Sequence, residues 1–163
     1  MACRAVHFAL TLEDQARLVD DPKSDNEDLL DTIGEIEERW DEDWLLETDK
    51  AWDAIHRCLT GGTLEYGETH THFCTLGKDN LHDGDDNIIS YIAPEEVAVS
   101  AEAIKDIDKP AFRALYDVLE STDYQGVTSD EDFEYTWDHF EDLKAFYQKA
   151  AEAGRSIVFT VDQ

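Results

Sequence analysis

Apolar runs near both ends of the chain predict strands. Residues 3–10 are mostly apolar and end where Thr11 and Asp14 form a capping-box-like helix start. Residues 156–161 form a denser apolar run, which is typical of a strand in the middle of a sheet. Residues 88–92 form a third run of this kind. The pattern therefore predicts a sheet that contains an N-terminal and a C-terminal strand.

Helical spacing of apolar residues predicts several helices. Residues 48–60 give one that Thr48 or Asp49 can cap and that Gly61-Gly62 ends. Others begin at Pro94 and at Pro110. A long helix of about 24 residues begins behind a Ser129 cap and ends before Gly154. The predicted inner positions are Trp52, Ile55, His56, Leu59; Val97, Ala101, Ile104, Ile107; Phe112, Leu115, Tyr116, Leu119; and Phe133, Trp137, Phe140, Leu143, Phe146, Tyr147, Ala150.

Three other segments have less regular patterns. Residues 12–20 predict a helix that stops at Asp21-Pro22, because proline disfavours a helical residue before it. Its predicted inner positions are Leu12, Ala16 and Val19. Residues 23–47 predict one or two short surface helices, interrupted at Gly34. Residues 63–87 predict a long, turn-rich segment with one short strand.

Three stretches resemble the YfbM-like family of small bacterial proteins. Residues 48–61 read TDKAWDAIHRCLTG, residues 91–97 read YIAPEEV, and residues 146–154 read FYQKAAEAG. The family has motifs of the kind DKAWxAxHxxLTG, a PEEV helix start, and a terminal FYxxAAxxG helix followed by a strand. This resemblance implies a fold but no activity, because the family's function is unknown and it offers no catalytic residues to transfer.

The elements together predict an α+β fold. We expect a small mixed sheet with N- and C-terminal strands, covered by several helices, with the long C-terminal helix before the last strand. No internal repeat and no linker rich in proline or serine divides the chain. We therefore expect a single YfbM-like domain over residues 1–163.

Charge narrows the classes of partner. The 163 residues include 40 Asp and Glu but only 13 Lys and Arg, so the formal net charge is -27. Such a surface repels phosphates, so we expect no binding to nucleic acid. No run approaches the ~18 apolar residues that would span a membrane. Cys3, Cys58 and Cys74 form no CxxC pair, and the first residues lack a signal-peptide pattern, which favours the cytoplasm.

The helix at residues 48–60 offers the first candidate site. Asp49, Trp52, Asp53 and His56 lie within two turns, so a carboxylate could orient the imidazole for acid-base work or ligand binding. The alternative is structural: Trp52 and His56 pack in the core, His56 binds a carbonyl, and Asp49 caps the helix. No nucleophile motif or phosphate-binding loop accompanies these residues.

The second candidate is a metal site at His70, His72 and Cys74. In a strand these alternating residues would project from one face and present two imidazoles and a thiol. His82, Asp83 or Asp85 could supply a fourth ligand. The alternative is a polar strand with exposed histidines, since zinc sites more often draw their ligands from paired knuckles.

These patterns leave three hypotheses for function. The first is a non-catalytic interaction protein that binds a basic protein partner, for example as an inhibitor of a nuclease or other toxin. The second is a small-ligand binder or enzyme built on the Trp52, Asp53 and His56 helix. The third is that the acidic surface only reflects a saline cytoplasm. No pattern indicates a cofactor or fixes the oligomeric state.

Overall fold

The computed structural model describes residues 4–20, 26–82 and 84–162. In chain order the elements are β1 (Ala5–Ala9), α1 (Leu12–Gln15), α2 (Asn26–Arg39), β2 (Leu45–Asp49), α3 (Ala51–Thr60), α4 (Phe73–Leu76), β3 (Asp79–Asn80), β4 (Asn87–Ile92), α5 (Pro94–Ile104), α6 (Lys109–Asp117), α7 (Asp130–Glu152) and β5 (Ile157–Asp162). A π-helical turn over Ala16–Asp20 follows α1, and a 3-10 turn over Val118–Ser121 follows α6.

The strands form one five-stranded sheet in the order β2-β1-β5-β4-β3. β1 and β5 pair from Ala5 opposite Val161 to Ala9 opposite Ile157. The predicted central position of the last strand is confirmed, and its dense apolar sequence is buried on both faces. Every pair among the described strands is antiparallel, where the sequence had predicted a mixed sheet.

Helices cover both faces of this sheet because successive strand residues point to opposite sides. On one face, α2 packs against Phe8, Ile89 and Val158. On the other face, α3, α5, α6 and α7 build the larger core around Ile157 and Ile92. The predicted α+β class is therefore confirmed, including the long helix before the last strand.

Helix α7 follows its sequence signals closely. The Ser129 hydroxyl accepts a hydrogen bond from the Asp132 amide at 3.1 Å, which is the N-cap that the sequence predicts. All seven predicted inner residues of α7 are buried. The Phe140 ring stacks on Phe112 of α6, with centroids 4.4 Å apart. Gly154 follows the helix with a φ of 66°, the left-handed conformation that glycine adopts readily.

Helix α2 and strand β2 correct the prediction for residues 23–47. Gly34 does not interrupt α2, because the helix buries Leu29, Ile33 and Ile36 against the sheet. A glycine inside a helix costs about 1 kcal/mol, which this burial exceeds. Strand β2 was missed because it is an edge strand, and of its five residues only Thr48 is fully buried.

Two predicted inner positions are wrong. Leu12 is 80% exposed, and Leu18 is the buried leucine of this segment, because the π-helical turn rotates it toward α2. Leu115 of α6 is 37% exposed, while Phe112 and Tyr116 are buried. The predicted stop at Asp21-Pro22 lies outside the described residues.

Membrane-spanning geometry is not found in the described helices. None of them combines the length and the low polarity that crossing a bilayer requires.

Candidate functional site

Helix α3 carries three of the four residues of the first candidate site. Lys50 takes the N-cap position and makes no side-chain cap bond, so the predicted cap by Thr48 or Asp49 is wrong. Asp49 instead ends β2 with a φ of 44°. Its carboxylate accepts a hydrogen bond from the Tyr135 hydroxyl at 2.8 Å. Gly61 ends the helix with a φ of 75°, as the sequence predicts.

The His56 side chain is closed off from solvent. Its exposure is 0%, and its Nε2 donates to the Glu65 carbonyl oxygen at 2.7 Å. Burial lowers the pKa of His56, so the imidazole stays neutral near neutral pH. Nδ1 has no hydrogen-bond partner in the described structure. This arrangement matches the structural alternative, in which His56 binds a carbonyl.

Trp52 and Asp53 also have structural contacts. The Trp52 ring lies 5.8 Å from the Phe159 ring in the core. Asp53 accepts a hydrogen bond of 2.5 Å from the buried Arg57, whose guanidinium also binds Asp123. Trp52, Asp53 and His56 therefore share a helix but do not form an open cluster with Asp49. The structure gives this group no accessible imidazole for acid-base work.

The strand geometry predicted for His70, His72 and Cys74 is wrong. Residues 70–72 form a turn, with His72 as the N-cap of α4, and Cys74 lies inside that helix. The cause is tertiary, because Phe73, Cys74 and Leu76 are all buried, a pattern that a helical turn provides and an alternating strand does not. The alternation that would have aligned the three side chains is therefore absent.

Each of the three side chains has its own partners. His70 Nε2 lies 2.6 Å from Glu96 Oε2, and His72 Nδ1 accepts from the Glu68 amide at 3.1 Å. Cys74 is buried, its Sγ donates to the His70 carbonyl oxygen, and burial raises the pKa of its thiol. Among the residues that the structure describes, no three His, Cys, Asp or Glu side chains group as metal ligands.

The possible fourth ligands do not change this result. His82 is buried and Asp85 is exposed. Asp83 lies outside the described residues. We therefore derive no chemistry from this segment.

An acidic stripe runs along the outer face of α7. Its members lie at i, i+4, i+7 and i+11 and are all exposed: Glu131, Tyr135, Asp138 and Asp142. Nine Lys and Arg side chains of the described chain form ion pairs, but none of these pairs includes a carboxylate of the stripe. We call these four residues the α7 stripe.

The α7 stripe places like charges next to each other. Asp138 and Asp142 are separated by one helical turn, and such pairs destabilise a helix by roughly 0.2–0.5 kcal/mol. Tyr135 lies between the carboxylates, and its ring packs 4.5 Å from the His139 ring. The net charge of -27 alone did not reveal the stripe, although the helical spacing of its residues could have done so.

Comparisons with known proteins identify a family and a fold. A family profile described as a domain of unknown function, DUF1877, matches residues 1–160. The crystal structure of YfbM from Escherichia coli, a protein of unknown function, is similar with a TM-score of 0.70. The two chains are 19% identical, and the similarity covers 99% of each. No curated protein matches the sequence.

Proposed function

Because this chain belongs to the DUF1877 family, whose function is unknown, we propose a function from its own surface. The protein is a non-catalytic binding protein that holds a basic protein partner. The observation that carries this proposal is the α7 stripe, where exposed carboxylates flank an exposed tyrosine and no Lys or Arg of the described residues pairs with them.

The stripe has the chemistry of a binding surface for cations. Lys and Arg side chains of a partner would relieve the repulsion between Asp138 and Asp142. Binding would thus give these carboxylates the cations that they lack in the free helix. Tyr135 supplies a large, rigid contact that can pack against an arginine side chain. A net charge of -27 would steer a basic protein toward this surface and accelerate its association.

The enzyme alternative has less support than the binding proposal. It needs an accessible imidazole, and His56 is fully enclosed and bound to a backbone carbonyl. The Asp53 carboxylate is held by Arg57.

The test is capture of a partner from the native cell with two matched variants. Asp138→Asn with Asp142→Asn removes two charges from the α7 stripe. Glu27→Gln with Asp31→Asn removes two charges from the exposed face of α2, on the other side of the sheet. We expect one basic protein to bind at low salt, to dissociate as salt rises, and to bind about tenfold more weakly to the stripe variant alone.

The outcomes separate a specific surface from general charge. Equal weakening by both variants would mean that net charge, and not the stripe, attracts the partner. Recovery of no salt-sensitive basic protein would contradict the proposal itself.

A further inference from the structure

A small, partly open cavity of about 60 Å³ lies where β1 ends, on the side of the sheet that α2 covers. Two arginines line it, Arg39 from the end of α2 and Arg155 from the turn before β5. Phe8 and Trp44 supply aromatic walls, and Asp14 and Asp41 are the acidic lining residues. The volume equals about two water molecules in the liquid, enough for a carboxylate or phosphate group.

Arg155 is a cation that pairs with no carboxylate among the described residues. Its guanidinium carbon lies 3.6 Å from the centre of the Trp44 ring, and Nη1 donates to the Ala9 carbonyl oxygen at 3.3 Å. Lys149 lies over the same ring at 4.4 Å. Neither cation belongs to the ion pairs found in the described chain, although 40 carboxylates surround 13 cations in this sequence.

The opposite wall of the cavity carries an ion pair between a half-exposed arginine and a buried aspartate. Arg39 Nη2 lies 2.6 Å from Asp14 Oδ2, and the Asp14 side chain is only 6% exposed. The Thr11 hydroxyl donates to the same oxygen at 3.0 Å. Arg39 and Thr11 therefore compensate the Asp14 charge and hold it in place. The second acidic residue, Asp41, accepts a hydrogen bond from the Asp43 amide at 3.2 Å.

The backbone beside the cavity adopts uncommon conformations. Trp40, between the lining residues Arg39 and Asp41, has a φ of 42°, which is rare for a bulky residue. The π-helical turn Ala16–Asp20 follows the helix that carries Asp14. Strained residues and π-helical turns are both enriched at ligand-binding sites, where the strain positions side chains.

A wider space adjoins this small cavity. It measures about 500 Å³ and is open to solvent, and it shares Asp14 and Arg39 with the smaller cavity. Arg17 lines this outer space and pairs with Glu35 at 2.7 Å. Glu13, Glu35 and Glu38 also line this space, so the remaining atoms of a ligand whose anionic group occupies the small cavity would be neutral or cationic.

We propose that this cavity binds a small-molecule oxyanion, a carboxylate or a phosphate group, through Arg155 and Arg39 beside the Trp44 ring. No carboxylate of the described residues pairs with the Arg155 guanidinium, and its planar fork suits both kinds of oxyanion. This site is independent of the α7 stripe, because it binds anions and uses none of the stripe residues.

The experiment is an amide and indole NMR titration of the full chain with inorganic phosphate and, separately, with acetate. Sodium chloride at matched ionic strength is the reference. We expect saturable shifts of the Trp44 indole N–H and of the Leu10 and Thr11 amides, which line the cavity. Saturation by only one anion assigns the ligand to that class, and saturation by both assigns the shared oxyanion chemistry.

Three variants test the role of Arg155. Arg155→Gln should weaken binding at least about tenfold, since it removes a charge-assisted contact. Arg155→Lys keeps the charge but loses the planar fork, so its affinity for the anion should lie between those of the parent and Arg155→Gln. Arg113→Gln, on α6 and paired with Asp117 and Asp130, should bind as the parent does.

Two results would overturn the proposal. One is the absence of saturable shifts at the cavity with either anion. The other is equal binding by the Arg113→Gln and Arg155→Gln variants, each with a dispersed spectrum that shows a folded chain.

Discussion

At the scale of single residues, the most consequential buried group is His7 in β1. Its exposure is 0%, and its ring lies 4.8 Å from the Phe159 ring and 6.3 Å from the Phe146 ring. The Thr48 hydroxyl lies 3.4 Å from its Nε2. Burial lowers the pKa of His7 from 6.5 to about 3, because this apolar site disfavours the imidazolium.

This shift predicts a loss of stability in mild acid. Below about pH 6.5, unfolded His7 binds a proton that the folded chain excludes down to about pH 3. The free energy of unfolding should therefore fall with pH across this window, by up to about 1.4 kcal/mol per pH unit from this group. Urea unfolding of His7→Leu at several pH values should show a shallower dependence.

A matched control distinguishes titration from lost packing. Ile89→Val removes a buried methyl group from the core but no titratable group, so it should keep the full pH dependence. Parallel curves for the parent and His7→Leu would show that His7 does not contribute.

At the scale of elements, the sequence predicted the features that depend on residues close together in the chain, such as helix caps and apolar helix faces. The Ser129 cap, the apolar face of α7 and the glycine after it all lie close together in sequence, and the structure confirms each. Strand β2 was not predicted, because this edge strand lacks a clear alternation of buried and exposed residues. The strand prediction for residues 70–74 is wrong, because packing of Phe73 and Cys74 in the core overrides the strand-like spacing of the polar residues.

Two glycines give opposite predictions for the same substitution. A Cβ at Gly34 would contact nothing within 4 Å, so Gly34→Ala should stabilise the protein by about 0.5–1 kcal/mol through helix propensity. Gly61 has equal space but a φ of 75°, so Gly61→Ala should destabilise it by about 1 kcal/mol or more. Thermal unfolding measures both variants, and equal effects would contradict this distinction.

At the scale of the whole molecule, the sequence revealed the charge but not how the fold arranges it. The acidity of residues 130–142 was evident, and the helical spacing of the α7 stripe was readable from the sequence. The cavity was not, because Arg39, Trp44 and Arg155 are distant in sequence. The pairing of β1 with both β2 and β5 brings these residues together. Such sites depend on strand order, which local patterns do not determine.

Salt dependence of stability separates a partner-binding surface from adaptation to a saline cytoplasm. With a net charge of -27, repulsion in the folded chain is screened as salt rises, and the Debye length is about 3 Å at about 1 M. If the acidic surface serves a partner, the melting temperature in sodium chloride should rise and then level off once screening is complete. A steady rise at molar salt would instead favour the saline explanation.

The stripe variant tests the salt dependence of stability at one pair of like charges. Asp138→Asn with Asp142→Asn removes one like-charge pair on α7, so at low salt it should be more stable than the parent by a few tenths of a kcal/mol. This advantage should disappear as salt screens the parent's repulsion. A constant advantage at all salt concentrations would mean that the substitutions act through helix propensity. The stripe would then carry no electrostatic strain for a basic partner to relieve.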